Sequence, residues 1–138
     1  MKPIRIVVVD DSLTIRAMIE TLLERDRRFE VVGIARDGDE AIDLVRLHRP
    51  DVVTLDVAMP GKDGMTILDE IMDMDPRPVI MLSSLMRDGA PITGEALDRG
   101  AAACFNKAMI AREAARFIGL IKDVARGMVQ VQPVMLAA

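Results

Sequence analysis

Five short apolar runs recur along this chain, at about residues 4–9, 31–35, 52–56, 78–82 and 101–105. They are too short for helices and rich in Val and Ile, so they read as strands. Their apolar character is nearly continuous, without clean alternation. That pattern belongs to strands covered on both faces, hence to a parallel sheet between helix layers.

The segments between the runs read as helices. Ser12 can cap a first helix that carries Leu13, Ala17, Met18, Leu22 and Leu23 on one side. Asp37 and Glu40 have capping-box spacing ahead of Ala41, Ile42, Leu44, Val45 and Leu47. A third helix carries Ile67, Leu68 and Ile71 and stops near Pro76. A fourth lies around 89–99, interrupted by Gly89, Pro91 and Gly94. A fifth places Ile110, Ala114, Phe117, Ile118, Ile121, Val124 and Ala125 at helical spacing and ends at Gly127. Five strands alternating with five helices give a three-layer α/β sandwich with right-handed crossovers.

Bulk properties narrow the function classes. At 138 residues the chain suits one domain with a real core. With 51% hydrophobic and 29% charged residues it reads as a soluble globular protein. A net charge of −4 gives no basic footprint for direct nucleic-acid binding. No apolar stretch reaches the length of a membrane span, and the start runs straight into a strand, so neither membrane insertion nor a signal peptide is expected. The single cysteine, Cys104, excludes an internal disulfide and suits a reducing cytosol. It reads as a small buried hydrophobe, and the only histidine, His48, as a surface residue. Eleven Met and three Phe, with no Trp or Tyr, make Met part of the core filling.

Polar residues fall where the runs end. Asp10 and Asp11 follow Ile6–Val9, Asp56 follows Val52–Leu55, Ser83 follows Val79–Leu82, and Lys107 follows Ala103–Phe105. In a parallel sheet these ends share one edge, and ligands bind beyond that edge where strand order reverses. Three carboxylates brought together repel one another unless a proton or a cation joins them. With oxygen donors and no local His or Cys, a hard ion is favoured, and Mg²⁺ fits because it needs few protein ligands. A cation, an ammonium and a hydroxyl around one carboxylate suit phosphoryl transfer, with the carboxylate as nucleophile. Each residue alone has a plainer reading: a helix cap for Asp-Asp-Ser, a turn for Met59–Gly64, a solvated charge for Lys107. Those plain readings would all have to hold at successive strand ends.

Taken in order, Val7-Val8-Val9-Asp10-Asp11-Ser12, Thr54-Leu55-Asp56-Val57-Ala58-Met59-Pro60 with Asp63-Gly64, Val79-Ile80-Met81-Leu82-Ser83-Ser84, Gly100-Ala101 and Lys107 resemble a receiver domain of two-component response regulators. The resemblance covers about residues 4–126. Glu30-Val31-Val32-Gly33, Thr54-Leu55-Asp56-Val57 and Ser83-Ser84-Leu85 look most like receivers of chemotaxis methylesterases and single-domain chemotaxis regulators. The resemblance implies a flavodoxin-like strand order 2-1-3-4-5, a receiver over 1–126 and a tail or linker over 127–138. It implies that Asp56 accepts a phosphoryl group from a sensor histidine kinase or a phosphotransfer domain. Asp11, Asp56 and the backbone carbonyl of Ala58 would ligate Mg²⁺, with Asp10 acting partly through water. Ser83 would bond a phosphoryl oxygen and Lys107 would pair with the phosphoryl group. An output protein would bind through helix 4, strand 5 and helix 5. The setting would be cytoplasmic, and the only catalysis the chain's own phosphorylation and dephosphorylation.

Two positions depart from the family pattern. Cys104 stands where receivers commonly carry an aromatic residue, with Phe105 one step later. Ala108 stands where a proline commonly follows the lysine. A cis bond to a non-proline costs about 3–4 kcal/mol, so a trans Lys107–Ala108 bond and an altered strand 5–helix 5 loop are expected. Output is then expected to depend on the segments 84–94 and 105–110, with Met86 and Met109 near the crevice or an output face. Two other classes compete with a stand-alone switch. One is the regulatory part of a chemotaxis methylesterase; without Gly-x-Ser-x-Gly and with His48 alone, this sequence cannot supply that catalytic triad. The other is a phosphatase of the haloacid-dehalogenase type, which wants a second Asp at position 58, where Ala stands.

Overall fold

A computed structural model describes residues 2–84 and 91–127. Within them the five apolar runs form one parallel sheet: β1 (Ile4–Val9), β2 (Phe29–Ala35), β3 (Val52–Asp56), β4 (Val79–Ser83) and β5 (Ala103–Asn106). The strand order is β2-β1-β3-β4-β5, as the resemblance implies. β1 therefore lies between β2 and β3, and the order reverses at its carboxyl end. Strand β2 begins two residues earlier than its apolar run, because Phe29 and Glu30 pair with Ile4 and Arg5. Strand β5 begins later than expected, at Ala103, and extends to Asn106.

Helices α1 (Leu13–Glu24), α2 (Gly38–His48), α3 (Gly64–Met74), α4 (Pro91–Asp98) and α5 (Ala114–Ala125) cover both faces. Short polar side chains start three of them. Ser12 Oγ accepts from the Ile15 N–H, Asp37 from that of Glu40, and Asp63 from that of Thr66. The box at α2 closes one residue further back than its spacing suggests: the Glu40 carboxylate accepts from the Arg36 N–H at 3.1 Å. Residues 89 and 90 of the expected fourth helix lie outside the described residues, as do Leu85, Met86 and the tail from 128.

Three details differ from the sequence reading. The buried side of α1 is Ile19 and Leu23, supported by Ile15, Met18 and Leu22, while Leu13 is 72% exposed. Leu13 stands in the first turn, beyond the sheet edge, and Ala17 one turn on is exposed with it. Leu47, at the end of α2, is 73% exposed, and His48 is half-buried. The fifth helix begins at Ala114 and not at Ile110. The chain after β5 makes a 3₁₀ turn over Lys107–Met109, and buried Ile110 plugs the core before α5 starts.

The sheet separates two cores. Val7, Val9, Val53, Leu55 and Met81 face α2, α3 and α4. Ile6, Val8, Ile80 and Leu82 face α1 and α5. Adjacent residues of β5 divide between them: Cys104 is buried in the first core, and Phe105 in the second, its ring 5.1 Å from that of Phe117. Met59, Met65 and Met81 are buried, the filling role expected of methionine.

Candidate functional site

Asp10 is the first residue beyond β1. Its N–H donates to the Ala35 carbonyl of β2 at 3.0 Å, and its Oδ1 accepts the Ser12 N–H at 2.8 Å. Arg16, one turn into α1, donates from Nη1 to the Asp10 carbonyl at 2.8 Å. These bonds hold a fully buried carboxylate at the mouth of the sheet. Asp11, its neighbour, is exposed.

Asp56 is the last residue of β3 and only 1% exposed. Its Oδ1 accepts the Ala58 N–H at 3.2 Å, and the Val57 N–H donates to the Leu82 carbonyl of β4 at 2.9 Å. Gly64 lets α3 start directly against this strand end. A Cβ there would overlap the Asp56 carbonyl and lie 2.6 Å from Val57 Cα. The Gly64 N–H closes the loop by donating to the Val57 carbonyl at 2.9 Å.

The strand-end residues converge. Carboxylate oxygens of Asp10, Asp11 and Asp56 lie within 4.8 Å of one another. Lys107 Nζ sits 3.0 Å from Asp56 Oδ2 and 3.2 Å from Asp10 Oδ2. It faces those two buried oxygens as an ion-pair partner, without hydrogen-bond alignment; the bond it aligns goes to Asp10 Oδ1 at 3.4 Å. Ser83, buried at the end of β4, pairs in register with Asn106, the residue before the lysine. Ile15, Asp56, Ala58, Ser83, Ser84, Lys107 and Ala108 line an open cleft of about 250 Å³.

Electrostatics follow from burial. Removing the Asp56 carboxylate from water pushes its pKa up to about 6; the Lys107 ammonium and the Ala58 N–H oppose the rise, and the Asp10 carboxylate adds to it. Burial alone would lower Lys107, but the adjoining Asp56 and Asp10 carboxylates outweigh that and the net shift is upward. With all groups ionised, three carboxylates against one ammonium leave an excess of two negative charges. A divalent cation matches that excess. The donors are all oxygens, two of them buried without aligned hydrogen bonds, so the cluster fits a hard cation.

All the residues singled out at the strand ends are thus brought together. Among the described residues no peptide bond is cis, so Lys107–Ala108 is trans as expected. Sequence reasoning missed Arg16 and Asn106, and named Gly64 only within the motif and as part of a turn, without its close approach to Asp56. Arg16 meets only the Asp10 backbone carbonyl here, which leaves no residue-type signal. Asn106 could have been noticed, since Asn beside a 3₁₀ turn is a ready cap: its Oδ1 accepts the Ala108 N–H at 2.9 Å.

Comparison with known proteins agrees with this geometry. The profile of the response regulator receiver domain matches residues 6–117. This chain belongs to the response regulator receiver family. It is 52% identical over 98 residues to protein-glutamate methylesterase/protein-glutamine glutaminase 2 of Nitratidesulfovibrio vulgaris, a match covering 71% of this chain and 27% of that protein. It is 43% identical over 134 residues to the corresponding protein 1 of Caulobacter vibrioides, covering 94% and 39%. The matched parts of this chain thus span between about a quarter and two fifths of these relatives' lengths. Among solved structures, the response regulator domain of Thermotoga maritima CheB superposes with a TM-score of 0.87 at 35% identity, covering 91% of this chain and 98% of that one. The fold and the two-component, chemotaxis-related family are those the motifs indicated. No helix of the described residues is long and apolar enough to cross a membrane.

Proposed function

We propose that this receiver is a phosphorylation-controlled switch in chemotaxis or a related pathway, with Asp56 as the phosphoryl acceptor. One observation carries the reading: a buried strand-end carboxylate opens onto a cleft, with two further carboxylates and one ammonium gathered around it. Asp56 attacks the phosphorus of a phosphohistidine on a sensor kinase or phosphotransfer domain. The P–O bond forms as the P–N bond breaks, and the departing imidazole takes up a proton. Asp11, Asp56 and the Ala58 carbonyl would hold Mg²⁺, with Asp10 partly through water. Bound there, the ion supplies charge neutralisation for the transferring group. Lys107 shifts its pairing from the free carboxylate to a phosphoryl oxygen, and the Ser83 hydroxyl donates to another. Hydrolysis of the acyl phosphate returns Asp56, so the chain's only catalysis is on itself. The receiver occupies residues 1–126, and output passes through α4, β5 and α5 to a partner protein in the cytoplasm.

A second reading has its own support. The relatives named above are methylesterase/glutaminases about two and a half times the length of this chain. The same switch would then regulate a catalytic region outside these residues.

The test is incubation with a small acyl phosphate and Mg²⁺, followed by intact mass. A single phospho-adduct that disappears on Asp56→Asn supports the assignment. No adduct, or one that persists in that variant, overturns it.

A further inference from the structure

Asn106 ends β5 and immediately precedes the lysine. Its backbone is extended, at φ −75° and ψ 114°, and the chain then folds into the 3₁₀ turn Lys107–Met109. Its side-chain oxygen accepts the Ala108 N–H at 2.9 Å, so donor and acceptor stand on either side of Lys107. A short ring closed from one side chain to the N–H two residues on is a local clamp on the residue between. Lys107 needs such a clamp. Its side chain is long and flexible, yet its ammonium rests within 3.2 Å of two carboxylate oxygens at the ends of different strands. The root of that side chain must leave the backbone in one direction. The clamp also depends on Ala108, because a proline there would have no N–H to donate.

We propose that Asn106 is a positioning residue for phosphoryl transfer: through the Ala108 N–H it fixes the Lys107 backbone so that the ammonium reaches Asp56. The inference rests on the assignment of Lys107 as the phosphoryl group's partner. It adds a residue whose side chain is not among those lining the cleft. It further ties the hydroxyl and the ammonium together, since Asn106 and Ser83 are register partners in the sheet.

The experiment measures adduct formation on the full chain with a small acyl phosphate and Mg²⁺, alongside hydrogen exchange at the Ala108 amide. Asn106→Ala should slow adduct formation about 3- to 10-fold, the loss of one ordinary hydrogen bond, and should speed Ala108 exchange. Asn106→Ser, which keeps a shorter acceptor, should recover part of both. In a Lys107→Ala background, Asn106→Ala should have no further effect on the rate, because its action passes through the lysine. If Asn106→Ala does not fold, Asn106→Gln takes its place, being too long to close the same ring. Unchanged kinetics in the variant, or an equal loss in the Lys107→Ala background, overturns the positioning role. An adduct absent from the unsubstituted chain overturns the underlying assignment instead, and the two failures are told apart by that control.

Discussion

Lys107 Nζ lies 3.0 Å from Asp56 Oδ2, against the group formed by the Asp10, Asp11 and Asp56 carboxylates. The two residues come from β3 and the turn after β5, so the pair bridges the sheet across β4. Lys107→Ala leaves Asp10 and Asp56 buried without their counter-charge. Removing one partner of such a pair costs more than the pair contributes. We expect a loss of about 3 kcal/mol at pH 7, the lower end for a buried pair because the lysine is 18% exposed, read from urea denaturation. The loss should shrink by pH 5, where a buried carboxyl can take up a proton. A variant as stable as the parent at pH 7 would show that the ammonium is dispensable in the resting state.

The raised Asp56 carboxyl gives a signed dependence on pH. Its pKa moves from 3.8 in the unfolded chain to about 6 in the fold. Between those values the folded state holds a proton that the unfolded state has released. Stability therefore declines as pH rises from about 4 to 6 and stays at the lower level above that. Asp56→Asn removes the charge and should be more stable than the parent at pH 7, on the order of 1–3 kcal/mol. The two proteins should converge below pH 4. Thermal melts across pH 3.5–8 decide this, and a variant less stable at neutral pH contradicts it.

The strand-end chemistry was legible because parallel topology turns sequence order into spatial order. Once Val7–Val9, Val52–Leu55, Val79–Leu82 and Ala103–Phe105 are strands of one sheet, the residues after them meet at one edge. The runs said less about boundaries, because Phe29 and Glu30 join β2 only through pairing with β1. The apolar face of α1 was misjudged at Leu13 and Ala17, since helical spacing does not say where the sheet ends beneath the helix. Arg16 was illegible for another reason: it acts on a backbone atom brought close by the fold. Gly64 was read within the motif and the turn, but its approach to the Asp56 carbonyl appears only once α3 packs against β3.

Cation linkage offers a third test. A ligand that binds only the folded state stabilises it by RT ln(1 + [L]/Kd), about 1.4 kcal/mol at ten times Kd. Mg²⁺ should raise the melting temperature, and an equal ionic strength of Na⁺ should not. Asp11→Asn should abolish most of the rise while changing the metal-free melting temperature little, because Asp11 is exposed. Equal Mg²⁺ stabilisation of parent and variant would remove Asp11 from the ligand set.

Two glycines at helical positions should respond in opposite directions to the same substitution. Gly119 lies within α5, and a Cβ built there meets nothing within 4 Å. Gly119→Ala relieves the entropy cost of glycine in a helix and should stabilise by about 0.5–1 kcal/mol. Gly64 is the first residue of α3, and its Cβ would overlap the Asp56 carbonyl and crowd Val57 Cα. Backbone atoms cannot rotate away, so α3 or the end of β3 must shift. Gly64→Ala should cost about 3 kcal/mol or more. It should also weaken Mg²⁺ stabilisation, because Asp56 and the Ala58 carbonyl lie on the displaced segment. Chemical denaturation with and without Mg²⁺ separates the two effects. A Gly64→Ala protein with lowered stability but an unchanged Mg²⁺ increment would place the strain in α3 and leave the cluster intact.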